Sequence, residues 1–261
     1  MRELAGRWAL ITGASAGLGA AFATLLAERG VNLVLVARRE ERLQALAARL
    51  RSERGVEVRV FAQDLAAPGG PEALYAAVTG AEIAVDLLIN NAGFGLEAPD
   101  LSLAWEDLSR MLDLNVGAVM LLTRLFGADM VGRGFGRVLQ VSSIAAAQPT
   151  PGYAAYAATK AFVLHYSEAL NHELSGTGVR VTTLCPGVTD TEFFQVSGQA
   201  LGRYQRAAMM PARDVAMTGL RAMTRGQASV TPGLLNKISS ALVRLLPRPL
   251  AAALVSAILR F

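Results

Sequence analysis

The chain alternates short apolar runs with longer stretches in which apolar residues recur every three or four positions. The run 31–37 is almost entirely apolar and predicts a buried strand, whereas 40–54 has the spacing of a helix with one solvated face. Strands that are apolar throughout and are separated by helices are typical of a parallel sheet covered on both sides. The predicted strands are 8–11, 31–37, 56–63, 85–90, 136–142, 179–184 and 228–231, and the predicted helices are one that ends near 29, 40–54, 72–79, two stretches within 104–132, 153–175 and 212–223.

This order of elements predicts an α/β fold with a doubly wound parallel sheet of about seven strands and helices on both faces. No repeat and no low-complexity linker divides the 261 residues, so we expect a single domain over 1–261. In such sheets a ligand binds beyond the carboxyl ends of the strands, where the strand order reverses. The residues at those ends are therefore the first candidates for function.

Composition narrows the class of protein. Hydrophobic residues make up 52% of the chain and charged residues 18%, which excludes disorder. The single cysteine, Cys185, excludes a disulfide framework and a cysteine-based zinc site, and two histidines on one predicted helix do not favour a metal centre. The first apolar run follows Met1 too closely for a signal peptide, and the longest one, 250–259, is shorter than the ~20 residues of a membrane span. We expect a soluble, cytoplasmic protein.

Charge is distributed unevenly along the chain. The net charge is +4, but residues 202–261 contain nine basic side chains and one acidic one, so this segment carries +8 and the other 201 residues carry −4. The basic residues of the segment are spread among apolar ones, with little aromatic interleaving. We therefore expect no nucleic acid as a partner.

A glycine-rich segment, TGASAGLG at 12–19, follows the first predicted strand and begins the first helix. Glycines there allow the backbone to approach a pyrophosphate, and the amino terminus of the helix offers free N–H groups and a positive dipole end. The spacing G-x3-G-x-G differs from the general dinucleotide fingerprint, so the segment by itself is also compatible with an ordinary tight turn. Its position between strand and helix favours a nucleotide site.

The residues after the second predicted strand discriminate between cofactors. An NAD site places an acid there against the ribose 2′-hydroxyl, whereas this chain has Arg38 and Arg39. A guanidinium matches a 2′-phosphate in charge and donor geometry, so we expect NADP(H) as cofactor. Arg38 is the main expected ligand, with a smaller part for Arg39 and help from Ser15. The alternative is that both arginines only begin the solvated face of the next helix.

Tyr156 and Lys160 are four residues apart on the predicted helix 153–175 and therefore share one face. A phenol with a pKa near ~10 is a poor base at neutral pH, and a neighbouring ammonium lowers that pKa. The chain has only two lysines against 23 arginines, so a lysine at this spacing favours a chemical role. Ser143 ends the preceding strand, where its hydroxyl could hold a substrate carbonyl, and the neighbouring Ser142 is the alternative.

In order and spacing, these motifs resemble the classical short-chain dehydrogenase/reductase family over at least residues 5–192. The matching residues are Thr12-Gly13-x3-Gly17-x-Gly19, Asp64, Asn90-Asn91-Ala92-Gly93, Asn115, Ser143, Tyr156-x3-Lys160 and Pro186-Gly187-x3-Thr191. The resemblance implies a Rossmann-type fold, an NADP-preferring oxidoreductase and assembly as a homodimer or homotetramer. The chain departs from the family at Thr189, where valine is commoner.

The resemblance also implies a role for each matching residue. Tyr156 would donate a proton to the carbonyl oxygen as hydride arrives, and Ser143 would orient that carbonyl. Lys160 would bind the nicotinamide ribose and lower the pKa of Tyr156, while Asn115 would hold a water that connects Lys160 to solvent. The implied cofactor contacts are Gly13, Ser15, Ala16, Gly17, Leu18, Gly19, Arg38, Arg39, Asp64, Leu65, Asn91, Ala92, Gly93, Tyr156, Lys160, Pro186, Gly187, Thr189 and Thr191.

The substrate loop is predicted at 191–211, and the residues expected around it are mostly apolar. We therefore expect a hydrophobic ketone or aldehyde, which NADPH would reduce to an alcohol. The predicted walls are Phe94, Ala145, Ala146, Ala147, Tyr153, Phe193 and Phe194. An alternative from another class is a non-catalytic NADP-sensing protein, although such proteins usually lack the tyrosine or the lysine that this chain retains.

The extension 233–261 is apolar and basic. A row of large aliphatic residues falls on one helical stripe, at Leu234, Leu235, Ile238, Leu242 and Leu245. Either this stripe covers the pocket or a subunit contact, or it lies in a membrane interface, as basic amphipathic helices do. The second interpretation would suit a lipid-directed reductase with an acyl or steroid-like substrate and a peripheral membrane contact.

Overall fold

The structure is a computed structural model that describes residues 4–193, 202, 205–206 and 208–259. Strands and helices alternate through this part of the chain. The strands are β1 (Trp8–Thr12), β2 (Asn32–Ala37), β3 (Val58–Ala62), β4 (Val85–Asn90), β5 (Gly136–Val141), β6 (Val179–Leu184), β7 (Thr189–Asp190), β8 (Met210–Pro211) and β9 (Ser229–Val230). The helices are α1 (Gly17–Ala27), α2 (Glu40–Arg54), α3 (Gly70–Gly80), α4 (Trp105–Leu112), α5 (Val119–Gly132), α6 (Ala154–Glu173), α7 (Ala212–Thr224), α8 (Leu234–Leu245) and α9 (Arg248–Leu259).

Seven strands form one parallel sheet in the order β3-β2-β1-β4-β5-β6-β9, which confirms the predicted doubly wound, Rossmann-type α/β fold. The order reverses between β1 and β4, so the loops that follow these strands meet at the carboxyl edge. Thr12 fixes this meeting, because its Oγ1 accepts hydrogen bonds from the N–H groups of Asn91 and Ala92, each at 2.9 Å. The amide of Asn91 in turn donates to the carbonyl oxygen of Thr12 at 2.9 Å.

The core lies on both faces of the sheet, because successive residues of each strand point to opposite sides. In β2, Leu35 joins the cluster of Phe22 from α1, whereas Val36 joins the cluster of Phe126 from α5. All four side chains are fully buried or nearly so. The almost unbroken apolar sequence of β2 is the consequence, since neither face of this central strand meets water.

The two helical stretches expected within 104–132 are present as α4 and α5, and they belong to one continuous helix over 105–132. A π-helical turn at Asp113–Ala118 joins α4 to α5. The helix is long and apolar enough to cross a membrane by length and composition alone, but Phe126 and Met130 are buried in the core beside the sheet. π-helical turns are frequent at functional sites, and this one contains Asn115.

The ends of the predicted substrate loop are held together by a second, two-stranded sheet. Thr189 pairs with Met210 and Asp190 with Pro211, so β7 and β8 bring the start and end of the loop to one place. Since β7 follows shortly after the carboxyl end of β6, the loop begins at the edge of the sheet where a ligand is expected.

Candidate active site

A cleft of about 760 Å³ lies at the carboxyl edge of the sheet. Its walls come from the segments that follow β1 to β6 and from α8 and α9. The predicted cofactor residues that line it are Gly13, Ser15, Ala16, Gly17, Leu18, Arg38, Arg39, Asp64, Leu65, Asn91, Ala92, Gly93, Tyr156, Lys160, Pro186, Gly187, Thr189 and Thr191. The fold thus brings motifs that are far apart in the sequence into one site.

Gly19 is the predicted cofactor residue that the structure places elsewhere. It is buried in the first turn of α1, and a Cβ there would lie 2.2 Å from the carbonyl oxygen of Gly13. Its role is to let α1 pack closely against the preceding loop. Gly13 does face the cleft, and its φ of +66° favours glycine. A Cβ on Gly13 would also lie 2.8 Å from the Asn91 amide.

The two arginines after β2 differ in their contacts, although both are exposed at the cleft. Arg39 donates to the hydroxyl of Ser15 from Nε at 3.3 Å and from Nη2 at 3.2 Å, and it pairs with Glu192 at 3.0 Å. Among the residues that the structure describes, none forms an ion pair with Arg38. The Arg38 guanidinium therefore remains free to meet an anion.

Asp64 lies in the cleft, but it is paired with a cation that sequence reasoning missed. Its carboxylate accepts a hydrogen bond from the N–H of Ala66 at 3.0 Å and forms a salt bridge with Arg110 of α4. Arg110 and Leu114 line the cleft next to Leu65. No motif marks Arg110, because it comes to the site only through the path of α4.

Ser143, Tyr156 and Lys160 meet in the cleft. Ser143 caps the short turn after β5, where its Oγ accepts a hydrogen bond from the N–H of Ala145 at 3.1 Å, and its hydroxyl also bonds to the phenol of Tyr156. The Nζ of Lys160 lies 5.7 Å from the centroid of the Tyr156 ring and donates to the carbonyl oxygen of Val141 at 3.0 Å. The helical spacing of four residues thus produces the expected proximity.

Ser142, the alternative to Ser143, has a structural contact. Its hydroxyl is buried and donates to the main-chain carbonyl oxygen of Lys160 at 2.7 Å, which ties the end of β5 to α6. Ser143 is therefore the serine whose hydroxyl is directed at Tyr156.

Burial controls the ionisation of the two central groups. It raises the pKa of Tyr156 to about 12, and the hydrogen bond from Ser143 offsets part of that rise. It lowers the pKa of Lys160 to about 8. In this geometry burial outweighs any lowering of the Tyr156 pKa by Lys160, so the phenol stays protonated at neutral pH. A proton donor needs that state.

The π-helical turn places Asn115 behind the site, fully buried. Its Nδ2 donates to the carbonyl oxygen of Phe94 at 2.9 Å and to Thr159 Oγ1 at 3.1 Å, while its Oδ1 accepts from the N–H of Phe94 at 3.1 Å. A Cβ on Gly93 would lie 2.9 Å from that Oδ1 and 3.3 Å from the Nζ of Lys160. Asn115 thus holds the segment after β4 against α6, and its predicted water link to Lys160 stays a prediction.

Two aromatic rings flank Tyr156 in the cleft. The ring centroids of Tyr153 and Phe193 lie 5.7 and 5.6 Å from that of Tyr156. Gly95, which sequence reasoning missed, allows this arrangement, because a Cβ there would lie 2.9 Å from Tyr156 Cδ2 and 3.1 Å from Phe193 Cζ. Its only sequence signal is its position two residues after Gly93.

Four predicted wall residues, Phe94, Ala145, Tyr153 and Phe193, line the cleft. Ala146 does not, because it is buried in a small cluster with Leu164 and Cys185. Ala147 is likewise not part of the cleft wall, and Phe194 lies outside the described residues.

Helices α8 and α9 of the extension form one wall of the cleft, and the sequence analysis did not predict which of their residues line it. Their cleft-facing residues are Ser239, Ser240, Val243, Leu254 and Val255. The stripe predicted on α8 faces away from the cleft, and Leu234, Leu242 and Leu245 are 73%, 57% and 82% exposed. One side of the extension therefore covers the pocket, and the other side is an exposed apolar row.

A profile of short chain dehydrogenase sequences matches residues 7–201. The chain belongs to the short-chain dehydrogenase family. Members of this family are oxidoreductases that act on carbonyl or alcohol groups, and the Ser143, Tyr156 and Lys160 cluster described above lies within the matched part of the chain.

Three proteins illustrate the range of similarity. A very-long-chain 3-oxoacyl-CoA reductase from Anas platyrhynchos is 33% identical over 234 residues, which cover 85% of this chain and 72% of that protein. A solved structure of 7beta-hydroxysteroid dehydrogenase is 28% identical and covers 98% of both chains with a TM-score of 0.88. A short-chain dehydrogenase from Sphingobium yanoikuyae, solved in complex with NADPH, is 34% identical and covers 93% of this chain and 97% of that chain, with a TM-score of 0.81.

Proposed function

We propose that this short-chain dehydrogenase is an NADPH-dependent reductase that converts a hydrophobic ketone or aldehyde into an alcohol. The observation that carries the proposal is the contact of Ser143 and Tyr156 beside Lys160, in a cleft that also exposes Arg38 and Arg39. The serine, tyrosine and lysine supply a proton donor next to a place for a carbonyl oxygen. The arginines supply a place for a phosphate.

The cofactor end of the cleft fits NADP(H) in its donors and charge. Gly13 and Gly17 have φ values of +66° and +54°, which form a tight turn at the amino end of α1, where N–H groups can meet a pyrophosphate. After β2 the chain offers Arg38, without an ion pair among the described residues, and Arg39 beside Ser15. Two guanidinium groups favour a ribose 2′-phosphate over a 2′-hydroxyl. The NADPH complex of the Sphingobium relative supports the same choice.

NADPH bound in this cleft would supply the hydride. The residues of the chain act on the carbonyl oxygen: the Ser143 hydroxyl turns from Tyr156 to this oxygen and donates the hydrogen bond that orients and polarises it, and Tyr156 transfers its proton to it. Because the developing alkoxide is more basic than a phenolate, a phenol with a pKa of about 12 can still protonate it. Lys160, held by the carbonyl oxygen of Val141, stabilises the phenolate that remains.

The substrate end of the cleft favours an apolar carbonyl compound. Phe94, Tyr153 and Phe193 line it from the main body, and Val243 and Leu254 line it from the extension. Walls of this kind stabilise hydrophobic ligands and leave a charged group without a partner. The names of two relatives, a 3-oxoacyl-CoA reductase and a hydroxysteroid dehydrogenase, support a large apolar substrate.

A panel of carbonyl compounds tests this proposal, with NADPH or NADH as reductant and loss of the reduced cofactor as the readout. The panel should contain bulky apolar ketones, 3-oxoacyl thioesters, small polar ketones and anionic oxo acids. We expect turnover of the apolar members with NADPH. Turnover restricted to polar or anionic members, or to NADH, would contradict the proposal.

The exposed row on the extension favours a second candidate, a reductase that takes an acyl or steroid-like substrate from a lipid surface. Besides the row on α8, Leu250 of α9 is exposed. Lys237 and Arg248 are exposed on the same two helices, and Asp214 is the only acid after residue 201. Apolar side chains flanked by cations match the interface of an anionic bilayer.

Vesicle co-sedimentation separates this candidate from the first. Removing α8 and α9 would open the cleft, so substitution is the better test. The variant Leu234→Ser/Leu242→Ser/Leu245→Ser should lose binding to anionic vesicles. Leu101→Ser, which changes a fully exposed leucine outside the extension, should keep it. The second candidate is wrong if the wild-type protein does not bind vesicles and the triple variant differs from it only in the mass of its assembly, measured by light scattering. The row is then a subunit contact.

A further inference from the structure

One acidic side chain lies beside the predicted phosphate site. The carboxylate of Glu192 accepts hydrogen bonds from Nη1 of Arg39 at 3.0 Å and from Nη1 of Arg42 at 2.7 Å. Arg39 is also the arginine whose Nε and Nη2 meet the hydroxyl of Ser15. A single guanidinium therefore connects the glycine-rich loop to Glu192.

The neighbours of Glu192 in the chain fix its place between the two ends of the cleft. Thr191 packs on the glycine-rich loop, since a Cβ on Gly17 would lie 3.0 Å from Thr191 Cβ. The ring of Phe193 lies 5.6 Å from that of Tyr156. Three consecutive residues thus contact the phosphate-binding loop, the arginines and the catalytic tyrosine.

The charges around Glu192 show that it is ionised and easily displaced. Its hydrogen bonds with Arg42 and Arg39 hold its pKa below the usual range of a glutamate, so it carries a negative charge at neutral pH. All three side chains are about half exposed, and exposed ion pairs are weak. A ribose 2′-phosphate between Ser15 and Arg39 would carry up to two negative charges close to this carboxylate.

We propose that Glu192 is a specificity-determining residue that limits the preference of the enzyme for NADPH over NADH. Its carboxylate competes with the 2′-phosphate for Arg39 and repels it, whereas a neutral 2′-hydroxyl is not repelled and competes only weakly for Arg39. Arg42 reduces this penalty, because it keeps Glu192 bound when Arg39 turns to the phosphate. The inference rests on the proposed NADP(H) site and assigns to Glu192 a negative charge that opposes binding of the 2′-phosphate there.

The test compares the affinities of ligands that carry a 2′-phosphate with those of ligands that lack it. Calorimetric titration of the wild-type protein and Glu192→Gln would use NADPH, NADH, adenosine 2′,5′-bisphosphate and adenosine 5′-monophosphate. The two nucleotides without nicotinamide differ only in the 2′-phosphate, so the difference between their affinities reports on the phosphate site. The matched control is Glu53→Gln, which removes an exposed acid paired with Arg49 on α2.

Loss of the carboxylate should raise the affinity for both 2′-phosphorylated ligands about five- to tenfold, as expected for charges a few ångströms apart near the surface. The affinity for NADH and adenosine 5′-monophosphate should change less than about twofold. Arg42→Gln should weaken NADPH binding in the wild-type background and have no effect in the Glu192→Gln background. Glu53→Gln should leave all four affinities unchanged.

Equal changes for phosphorylated and unphosphorylated ligands would overturn the inference, because Glu192 would then only hold the loop. Unchanged affinities in Glu192→Gln would overturn it as well. If the wild-type protein binds NADH and not NADPH, the proposed cofactor is wrong, and that outcome is seen in the first titration before any variant is compared.

Discussion

At the scale of single residues, the ionisation of Tyr156 and Lys160 depends on burial. Burial raises the pKa of Tyr156 to about 12 and lowers that of Lys160 to about 8, so both neutral forms are favoured relative to water. The protonated phenol suits proton donation. Of these two groups, Lys160 is the one whose pKa lies in the range where enzymes are usually assayed.

A pH profile tests the role of Lys160. Below pH 8 its side chain is protonated and stabilises the phenolate left by proton transfer, and above pH 8 that charge is lost. The value of kcat/KM for ketone reduction, which reports groups of the free enzyme, should therefore fall as the pH rises through about 8. In Lys160→Arg, any residual activity should lack this fall, since arginine stays charged. A fall that persists in Lys160→Arg would contradict the assignment.

Gly95 sets the position of the tyrosine ring. Gly95→Ala would place a Cβ 2.9 Å from Tyr156 Cδ2, so the ring must move. Displacement of a reacting group by a fraction of an ångström to an ångström lowers kcat by roughly ten- to a hundredfold. NADPH affinity and thermal stability should change little, as measured by titration and melting. Gly132→Ala is the control, because a Cβ there meets open space. Equal activity of the two variants would contradict this role.

At the scale of elements, the segment after β6 and helix α8 form one unit. A Cβ on Gly187 would lie 2.5 Å from both the nitrogen and the oxygen of the Asn236 side chain, which is buried and donates to the carbonyl oxygen of Pro232 at 3.0 Å. The extension is therefore seated directly on a segment that lines the cofactor cleft. Sequence patterns indicated the helix, but not this contact, because it joins residues almost fifty positions apart.

Substitutions at this contact measure the coupling. Gly187→Ala should lower the free energy of unfolding by about 1–3 kcal/mol through overpacking and weaken cofactor binding. Asn236→Ala removes the obstructing amide, so the double variant Gly187→Ala/Asn236→Ala should recover part of the loss that Gly187→Ala causes. Denaturant titration and NADPH titration provide the two readouts. Strictly additive effects of the two substitutions would show that the side chains do not meet.

At the scale of the whole molecule, sequence patterns predicted the seven-stranded sheet and the place of the site because both depend on local signals. Buried strands such as β2 are recognisable by their apolar runs, and Tyr156 and Lys160 lie one turn apart on one helix. The sequence patterns were incomplete where long-range packing determines the structure. The two predicted helical stretches within 104–132 are joined by a π-helical turn that no sequence pattern indicated, and the sequence does not distinguish Gly19, which packs against Gly13, from a glycine that contacts a cofactor.

The contacts that sequence reasoning missed share this origin. Arg110 reaches Asp64 across 46 positions, and Glu192 reaches Arg39 across 153. Contacts at such large sequence separations are not indicated by periodicity or by motif spacing. Such pairs form only when the folded sheet brings the loops at its carboxyl edge together, so no single element predicts them.

The most direct measurement of the central claim is the rate of ketone-dependent NADPH oxidation by the wild-type protein and by Tyr156→Phe, with the most active ketone of the panel. Loss of the phenolic proton should lower kcat by about 10²- to 10⁴-fold, while NADPH affinity stays within about twofold. Tyr166→Phe, on the outer side of the same helix and stacked on Phe162, should retain full activity. Unchanged turnover in Tyr156→Phe would contradict the account.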